Sequence, residues 1–396
     1  MRRSCGPVWR GVTGGMIVVL ISLAIWLGLI AFWGGFPRGF WRADQRLGQP
    51  PEPQAWPDVT AVIPARNEAA TIGEVLRAHA ASDYPGQLEI ILIDDSSDDG
   101  TGEIARAVDG ARPIRVVEAP PIEPGWTGKL WAMHCGIAEA GSAPFLLLTD
   151  ADILHAPDTL RRLVAKAQAD RRAMVSLMAR LDARGLWGGL LIPAFVFFFQ
   201  KLYPFPWVND PARRMAGAAG GCVLLRTEAL RDIGGIAAIR GALIDDCTLA
   251  ARVQQAGHRI WLGLARDAVI SLRDNRALGS VWTMVARTAF TQLRYSAVLL
   301  AGSTLGMVLL YLAAPVGVAV GLALGDWQLA LAGGGAWAAM SVAYRPTARL
   351  YGMPPWHCLS LPFAALLYML MTLDSARRHW AGRGGAWKGR VYPAAP

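Results

Sequence analysis

From Gly11 to Pro37 no residue carries a charge, and within that stretch Met16–Trp33 is dense in Ile, Leu, Val and Trp. About twenty consecutive apolar residues cross the hydrocarbon core of a bilayer. The run therefore predicts a retained anchor over residues 14–36, behind a short tail, 1–13. A cleaved signal peptide is the rival, because Arg2 and Arg3 resemble its basic leading region. The apolar run is long for that, and no small-x-small cleavage site follows it. The C-terminal third repeats the signal. Tyr295–Gly325 is uncharged and long enough to span, and Leu350–Leu373 carries only His357. Trp327–Tyr344 is shorter and broken by Gly333-Gly334-Gly335, which reads as a tilted span or a re-entrant piece. These stretches predict C-terminal membrane segments over 298–376, preceded by an interfacial helix at 277–297 and followed by a basic tail, 377–396.

Composition agrees. Hydrophobic residues make up 53% of the 396-residue chain and charged ones 17%, with mean hydropathy +0.31. Soluble domains run nearer a quarter charged, so an ordinary cytosolic enzyme and a disordered charged chain are both excluded. The net charge of +9 and sixteen tryptophans suit an anionic membrane surface. No arginine-rich helix or aromatic RNA-binding motif accompanies them, so nucleic acid is not an expected partner. Cys5, Cys135, Cys222, Cys247 and Cys358 lack C-x-x-C spacing and form neither a disulfide framework nor a zinc site. Arg377, Arg378, Arg383, Lys388 and Arg390, just past the last span, predict a cytoplasmic tail. If the middle of the chain is cytoplasmic too, an even number of spans separates them: either the Gly-rich segment is re-entrant or one premise fails.

Between Trp56 and about Arg276 the pattern changes. Val59–Ile63, Leu88–Ile93, Ile114–Val117 and Phe145–Thr149 read as strands. Ala69–Ala81, Thr101–Val108 and Gly128–Ala140 read as the helices between them. Strands alternating with helices imply an α/β domain built on a mostly parallel, Rossmann-like sheet, here over 55–276. Ligands in such sheets bind beyond the carboxyl ends of the strands. Acidic clusters stand at those ends: Asp94-Asp95-Ser96-Ser97-Asp98-Asp99, then Thr149-Asp150-Ala151-Asp152. Asp245-Asp246 opens a further amphipathic helix that closes at Gly257. For Asp98, Asp99 and Thr101 helix capping and turn formation explain the residues equally well. Asp150 and Asp152, flanked by Leu146-Leu147-Leu148 and Ile153-Leu154, fit that explanation poorly. Paired carboxylates at a strand end suit Mg²⁺ or Mn²⁺ held against phosphate oxygens, because hard cations prefer oxygen ligands.

Taken in order, Val62-Ile63-Pro64-Ala65-Arg66-Asn67-Glu68, the Asp-Asp-x-Ser-x-Asp-Gly-Thr pattern over 94–101, Thr149-Asp150-Ala151-Asp152 and Asp245-Asp246 resemble family 2 glycosyltransferases of the GT-A fold. The wider pattern adds Pro124-Gly125-Trp126-Thr127-Gly128-Lys129 and Thr291-Gln292-Leu293-Arg294-Tyr295. With one N-terminal and several C-terminal membrane segments, it is most similar to the hopene-associated glycosyltransferases of bacterial hopanoid biosynthesis. That resemblance implies a multi-pass protein of the bacterial inner membrane with a cytoplasmic catalytic domain. Its activity would be transfer of one sugar from a nucleotide-sugar donor to a lipid acceptor. By the same resemblance Asp94 and Asp95 would contact base and ribose, with Pro64, Ala65, Arg66 and Glu68 lining that pocket. Lys129 would approach the donor, and Asp150 and Asp152 would frame a Mg²⁺ or Mn²⁺ diphosphate site. Asp246 would be the general base of an inverting displacement; Asp245 either acts in its place or caps the helix. Processive synthases of the family carry Gln-(Gln/Arg)-x-Arg-Trp near the membrane. Here the first Gln and the final Trp are missing, which argues against polymer synthesis and leaves Arg294 as a diphosphate contact or a membrane-surface residue.

Three features stay open at this level. Gly217–Gly221 is a close backbone approach to sugar or acceptor, or a plain sheet bend. The aromatic-rich segment 186–207, interrupted by Pro193, Pro204 and Pro206, is too broken for a span; it suits the headgroup zone where a lipid would enter, or a core helix. His79, His134, His155, His258, His357 and His379 lack paired metal spacing and read as structural. Two rival functions remain: transfer to a polyprenyl phosphate, and a non-catalytic lipid-binding protein on the same fold.

Overall fold

The computed structural model describes residues 8–33 and 39–383. Arg2, Arg3, Cys5, the end of the expected anchor (34–36), and Lys388 and Arg390 of the tail lie outside the described residues. The chain divides into two compact units. One, the sheet unit, comprises Asp44–Asp182 and Trp207–Asp274; the other, the helical unit, comprises Met1–Ala43, Ala183–Pro206 and Asn275–Gly382.

The sheet unit is built on seven strands: β1 (Val59–Ala65), β2 (Leu88–Asp94), β3 (Ile114–Glu118), β4 (Phe145–Thr149), β6 (Met174–Met178), β7 (Cys222–Arg226) and β8 (Ile260–Leu264). Their order is β3-β2-β1-β4-β7-β6-β8. A short antiparallel pair, β5 (Ile153–His155) and β9 (Val269–Ser271), stands apart. Within the seven-stranded sheet, β7 alone runs against its neighbours. β1 and β4 are buried at every residue, which explains continuous apolar runs rather than alternation: a sheet covered on both faces has no polar side. The expected strands and helices form within three residues of their ends, the largest shift being the helix expected from Ala69, which starts at Ile72. Strands β6 and β8 complete a sheet of which the sequence pattern reveals only part, and the β5–β9 pair is a separate addition.

Register then fixes where the chemistry sits. Ala65 pairs with Asp94, Asp94 with Glu118, and Val62 with Leu148, so these strands end at one rim. The chain winds outward from β1 to β3 and returns to place β4 on the other side of β1. That reversal is the switch point where such sheets open a crevice, and Asp150 follows β4 directly into it.

In the helical unit, four helices among the described residues are long and apolar enough to cross a membrane: Gly14–Phe32, Gly185–Leu202, Ala297–Leu324 and Pro355–Trp380. The second calls for a correction of the sequence reading, since Pro193 lies inside a continuous helix instead of interrupting it. It nonetheless cannot be one simple crossing. β6 precedes it, β7 follows it, and the two are hydrogen-bonded neighbours, Met174 opposite Leu225. A single crossing between them would put paired strands on opposite sides of the bilayer. The segment expected as one interfacial helix over 277–297 is two, Leu278–Ala286 and Ala289–Gln292, and the expected tail begins inside a helix that runs to Trp380. Two of these four helices, Ala297–Leu324 and Pro355–Trp380, follow the last strand, with the helix Trp327–Leu350 between them.

The glycine triplet does not break its helix either: Trp327–Leu350 is continuous. A Cβ on Gly333 would lie 2.8 Å from both the Ala314 carbonyl oxygen and the Val318 amide nitrogen, and one on Gly317 would lie 2.6 Å from Val19. Glycine here permits the close backbone approach on which packing between apolar helices relies. Gly334, by contrast, faces open space. Gly333→Ala should therefore destabilise the detergent-solubilised protein by about 1–3 kcal/mol through overpacking. Gly334→Ala should be neutral or add up to about 1 kcal/mol of helix propensity. Thermal unfolding of the two variants side by side checks this; equal midpoints would remove the packing role.

Candidate active site

The loops after β1 and β2 are laced together by their own side chains. Arg66 Nη1 donates to the carbonyls of Asp95 and Ser96 at 2.5 and 3.1 Å. The amides of Asn67, Glu68 and Ala69 donate to Ser97 Oγ, Thr101 Oγ1 and Asp99 Oδ2. Asp99 also accepts from the Thr101 amide and hydroxyl. Burial raises its pKa, but these bonds outweigh that and hold it below the ordinary carboxylate range. Asp99 and Thr101 are thus loop fasteners. Asp94 is buried and accepts from the Ser97 amide at 3.0 Å. A Cβ on Gly102 would lie 2.7 Å from its other oxygen, so glycine at 102 is what lets the helix Thr101–Arg106 start against it. Asp95 is buried beside it. Pro64 and Ala65 are buried within β1 and set the backbone rim from which this pocket begins.

A second cluster gathers residues from distant stretches. Lys129 Nζ lies 2.8 Å from Asp150 Oδ1 and 3.0 Å from Asp245 Oδ2. Lys129 is the second residue of the helix Gly128–Glu139, where a cation opposes the helix dipole; the two carboxylates overcome that. Burial lowers the Lys129 pKa, but Asp150 and Asp245 outweigh it and the ammonium is held charged, above its ordinary value. The helix start is itself anchored. The Thr127 amide donates to the Arg240 carbonyl at 2.9 Å, Trp131 Nε1 donates to the Pro120 carbonyl at 2.8 Å, and Trp126 packs on Trp131 and His134.

Asp245 and Asp246 occupy the first turn of the helix Asp245–Gln255, where a carboxylate is favoured. Asp246 accepts from the Gly220 amide at 2.9 Å and the Cys247 amide at 2.7 Å. Its pKa is pushed up to about 6 by burial and by Asp245, with Lys129 and the two amides pulling back. Asp152 is likewise pushed up to about 6, by burial, Asp150 and Glu68, against Arg273. Lys129, Asp150, Asp152, Glu68, Asp245 and Asp246 therefore form one electrostatically connected cleft. Gly220 belongs to it: a Cβ there would stand 3.3 Å from Lys129 Nζ and 3.5 Å from Asp246. What Gly220 approaches closely is the Asp246 carboxylate of the chain itself. Nothing in the sequence near 217–221 names that partner, which comes from another part of the chain. Arg294 is not in the sheet unit; it lies in the helical unit with φ 52°, in the turn before Ala297.

Among the described residues no group of three or more His, Cys, Asp or Glu is arranged to hold a metal ion. Asp150 and Asp152 offer carboxylate oxygens alone. Such a pair fits a hard cation that takes its other ligands from water and phosphate, and does not fit a closed all-protein site.

Known proteins share this architecture. The family model described as "Glycosyltransferase like family 2" matches residues 57–297, more than half of the chain. An N-acetylglucosaminyltransferase of Mesorhizobium japonicum is 32% identical over 139 residues, 34% of this chain; the match spans 31% of that relative's length. The succinoglycan biosynthesis protein ExoA of Rhizobium meliloti is 25% identical over 335 residues, covering 81% of this chain and 93% of its own. Among solved structures, a mannosyltransferase of Pyrobaculum calidifontis in complex with GDP-Man and Mn²⁺ superposes with TM-score 0.52 at 20% identity, over 91% of this chain and 96% of that one.

Replacing Lys129 tests the cluster without reference to any substrate. Lys129→Met removes the charge that lowers the Asp246 pKa, so that pKa should rise beyond about 6. A carboxylate whose folded pKa is raised costs stability above that pKa and returns it as pH falls through it. The variant should therefore melt well below the parent protein at pH 8 and approach it at pH 5. A gap independent of pH would contradict the pairing.

Proposed function

We propose that this chain, which belongs to glycosyltransferase like family 2, is a membrane-bound inverting enzyme that moves a single sugar from a nucleotide-sugar donor to a lipid acceptor. The observation that carries this reading is the cleft at the switch point, where Lys129 joins Asp150 to Asp245 and Asp246 lies alongside. A departing nucleoside diphosphate needs positive charge, and Lys129 is a fixed cation there. When bound, a divalent ion such as Mn²⁺ or Mg²⁺ at Asp150 and Asp152 would neutralise further diphosphate charge.

The laced loops after β1 and β2 would take the nucleoside, with Asp94 and Asp95 at its floor and Arg66 and Glu68 at its edge. Asp246 would accept the proton of the acceptor hydroxyl as that oxygen attacks the anomeric carbon. A base with pKa near the working pH is both ionised and basic enough to do so, and the burial that raises Asp246 to about 6 supplies that balance. Attack opposite the departing diphosphate inverts the anomeric centre. Four helices long and apolar enough for a bilayer support a multi-pass protein of the bacterial inner membrane and an acceptor drawn from the lipid phase. The likeness of the motifs to hopene-associated glycosyltransferases makes a hopanoid lipid the acceptor of choice, with the catalytic domain cytoplasmic.

Asp246→Asn should reduce turnover about 10²–10⁴-fold, the usual worth of a positioned base, while leaving nucleotide-sugar binding within error by calorimetry. The parent enzyme's kcat/KM should fall on the acid side with an apparent pKa near 6, as Asp246 takes up its proton. Turnover of Asp246→Asn close to the parent level would reject the base and favour an acceptor that is already anionic, a polyprenyl phosphate. To identify the substrates, membranes bearing the enzyme would be incubated with a panel of labelled nucleotide sugars, and the extracted lipids read by mass spectrometry. One donor should yield a lipid carrying a single added sugar; no labelled lipid from any donor, despite calorimetric nucleotide binding, would point to the non-catalytic alternative.

A further inference from the structure

We infer that Thr149 and Ser176 are positioning residues for Asp246, acting through the backbone of the Gly217–Gly221 loop; the inference rests on Asp246 being the base. Asp246 accepts one hydrogen bond from its own helix, from the Cys247 amide, and one from outside it, from the Gly220 amide at 2.9 Å. The orientation of the carboxylate therefore depends on where Gly220 is held.

Gly220 precedes β7 and is outside its ladder, so strand pairing does not fix it. Two hydroxyls clamp the residues on either side. Ser176 Oγ, from β6, accepts from the Ala219 amide at 2.9 Å and donates to the Ala219 carbonyl at 3.1 Å. Thr149 Oγ1, at the end of β4, donates to the Gly221 carbonyl at 2.8 Å. With that proton committed, its 3.0 Å contact with His155 Nε2 requires the imidazole to donate. This leaves His155 Nδ1 as a bare lone pair, and that atom is indeed buried without a partner. The proton positions form one consistent chain from His155 through Thr149 to Gly221. Ser176 and Thr149 are fully buried, so neither hydroxyl is available to a substrate. Any influence they have on transfer must pass through the loop.

Geometry of this kind bears on rate more than on binding. Displacing a reacting group by about 1 Å costs on the order of a hundredfold, whereas the donor would contact other residues of the cleft. Thr149→Val keeps the shape and removes the hydroxyl; Ser176→Ala does the same from the opposite strand and serves if the first variant folds poorly. Each should lower kcat about 10–100-fold with nucleotide-sugar affinity by calorimetry unchanged, and Thr149→Ser should restore the rate. The inference is overturned if both variants turn over at the parent rate. It is equally overturned if kcat, donor affinity and melting temperature fall together and Thr149→Ser fails to rescue. A parent protein that binds nucleotide sugars yet transfers none would overturn the proposed function, and this inference with it.

Discussion

A single ammonium among carboxylates is the interaction on which the rest of this molecule depends. Lys129 reaches Asp150 from β4 and Asp245 from a helix start nearly a hundred residues later. Without it, Asp150, Asp245 and Asp246 would lose their shared counter-charge in a partly desolvated cleft, and neighbouring like charges cannot all stay ionised cheaply. The strap before Lys129, with Trp126 wedged against Trp131 and His134 and Thr127 bonded to Arg240, makes sense as the scaffold that delivers this one charge. So does the sheet register, which brings the ends of β1, β2 and β4 to a common rim before any side chain is considered.

The two units solve opposite packing problems with the same residue. In the sheet unit, Gly102 and Gly220 make room for carboxylates that must approach the backbone, Asp94 in one case and Asp246 in the other. In the helical unit, Gly321 and Gly333 make room for neighbouring helix backbones and Gly317 for the Val19 side chain, the close contact that packing between apolar helices uses. Within this unit Lys201 Nζ reaches the Tyr311 hydroxyl at 2.6 Å and Gln200 donates to Thr347. The π-helical turn at Val308–Leu312 leaves the Leu310 carbonyl to accept from Trp26 Nε1 at 2.7 Å, as a medium without water requires.

Sequence reading went far in this chain because its signals are local. Period and turn chemistry marked β1 to β4, the helices between them and the Asp245–Gln255 helix, and the acidic clusters stood where strands end. It stopped short at Pro193 and at Gly333-Gly334-Gly335. Both read as interruptions because propensity scores a residue without its neighbours, whereas tertiary packing carries the helix straight through each. It also stopped at β6 and β8, whose short apolar runs have no alternation to distinguish strand from helix.

The amino-acid sequence alone determined the division into apolar and α/β segments, the family resemblance and the residues able to bear charge at the strand ends, since periodicity and composition are properties of contiguous residues. Only the tertiary structure decided which charges meet. It set Lys129 between Asp150 and Asp245, gave Asp246 its raised pKa, made Gly220 its hydrogen-bond donor, and, by pairing β6 with β7, denied the intervening apolar helix a simple crossing. Each of these depends on distances between residues remote in the chain, and no local pattern encodes them.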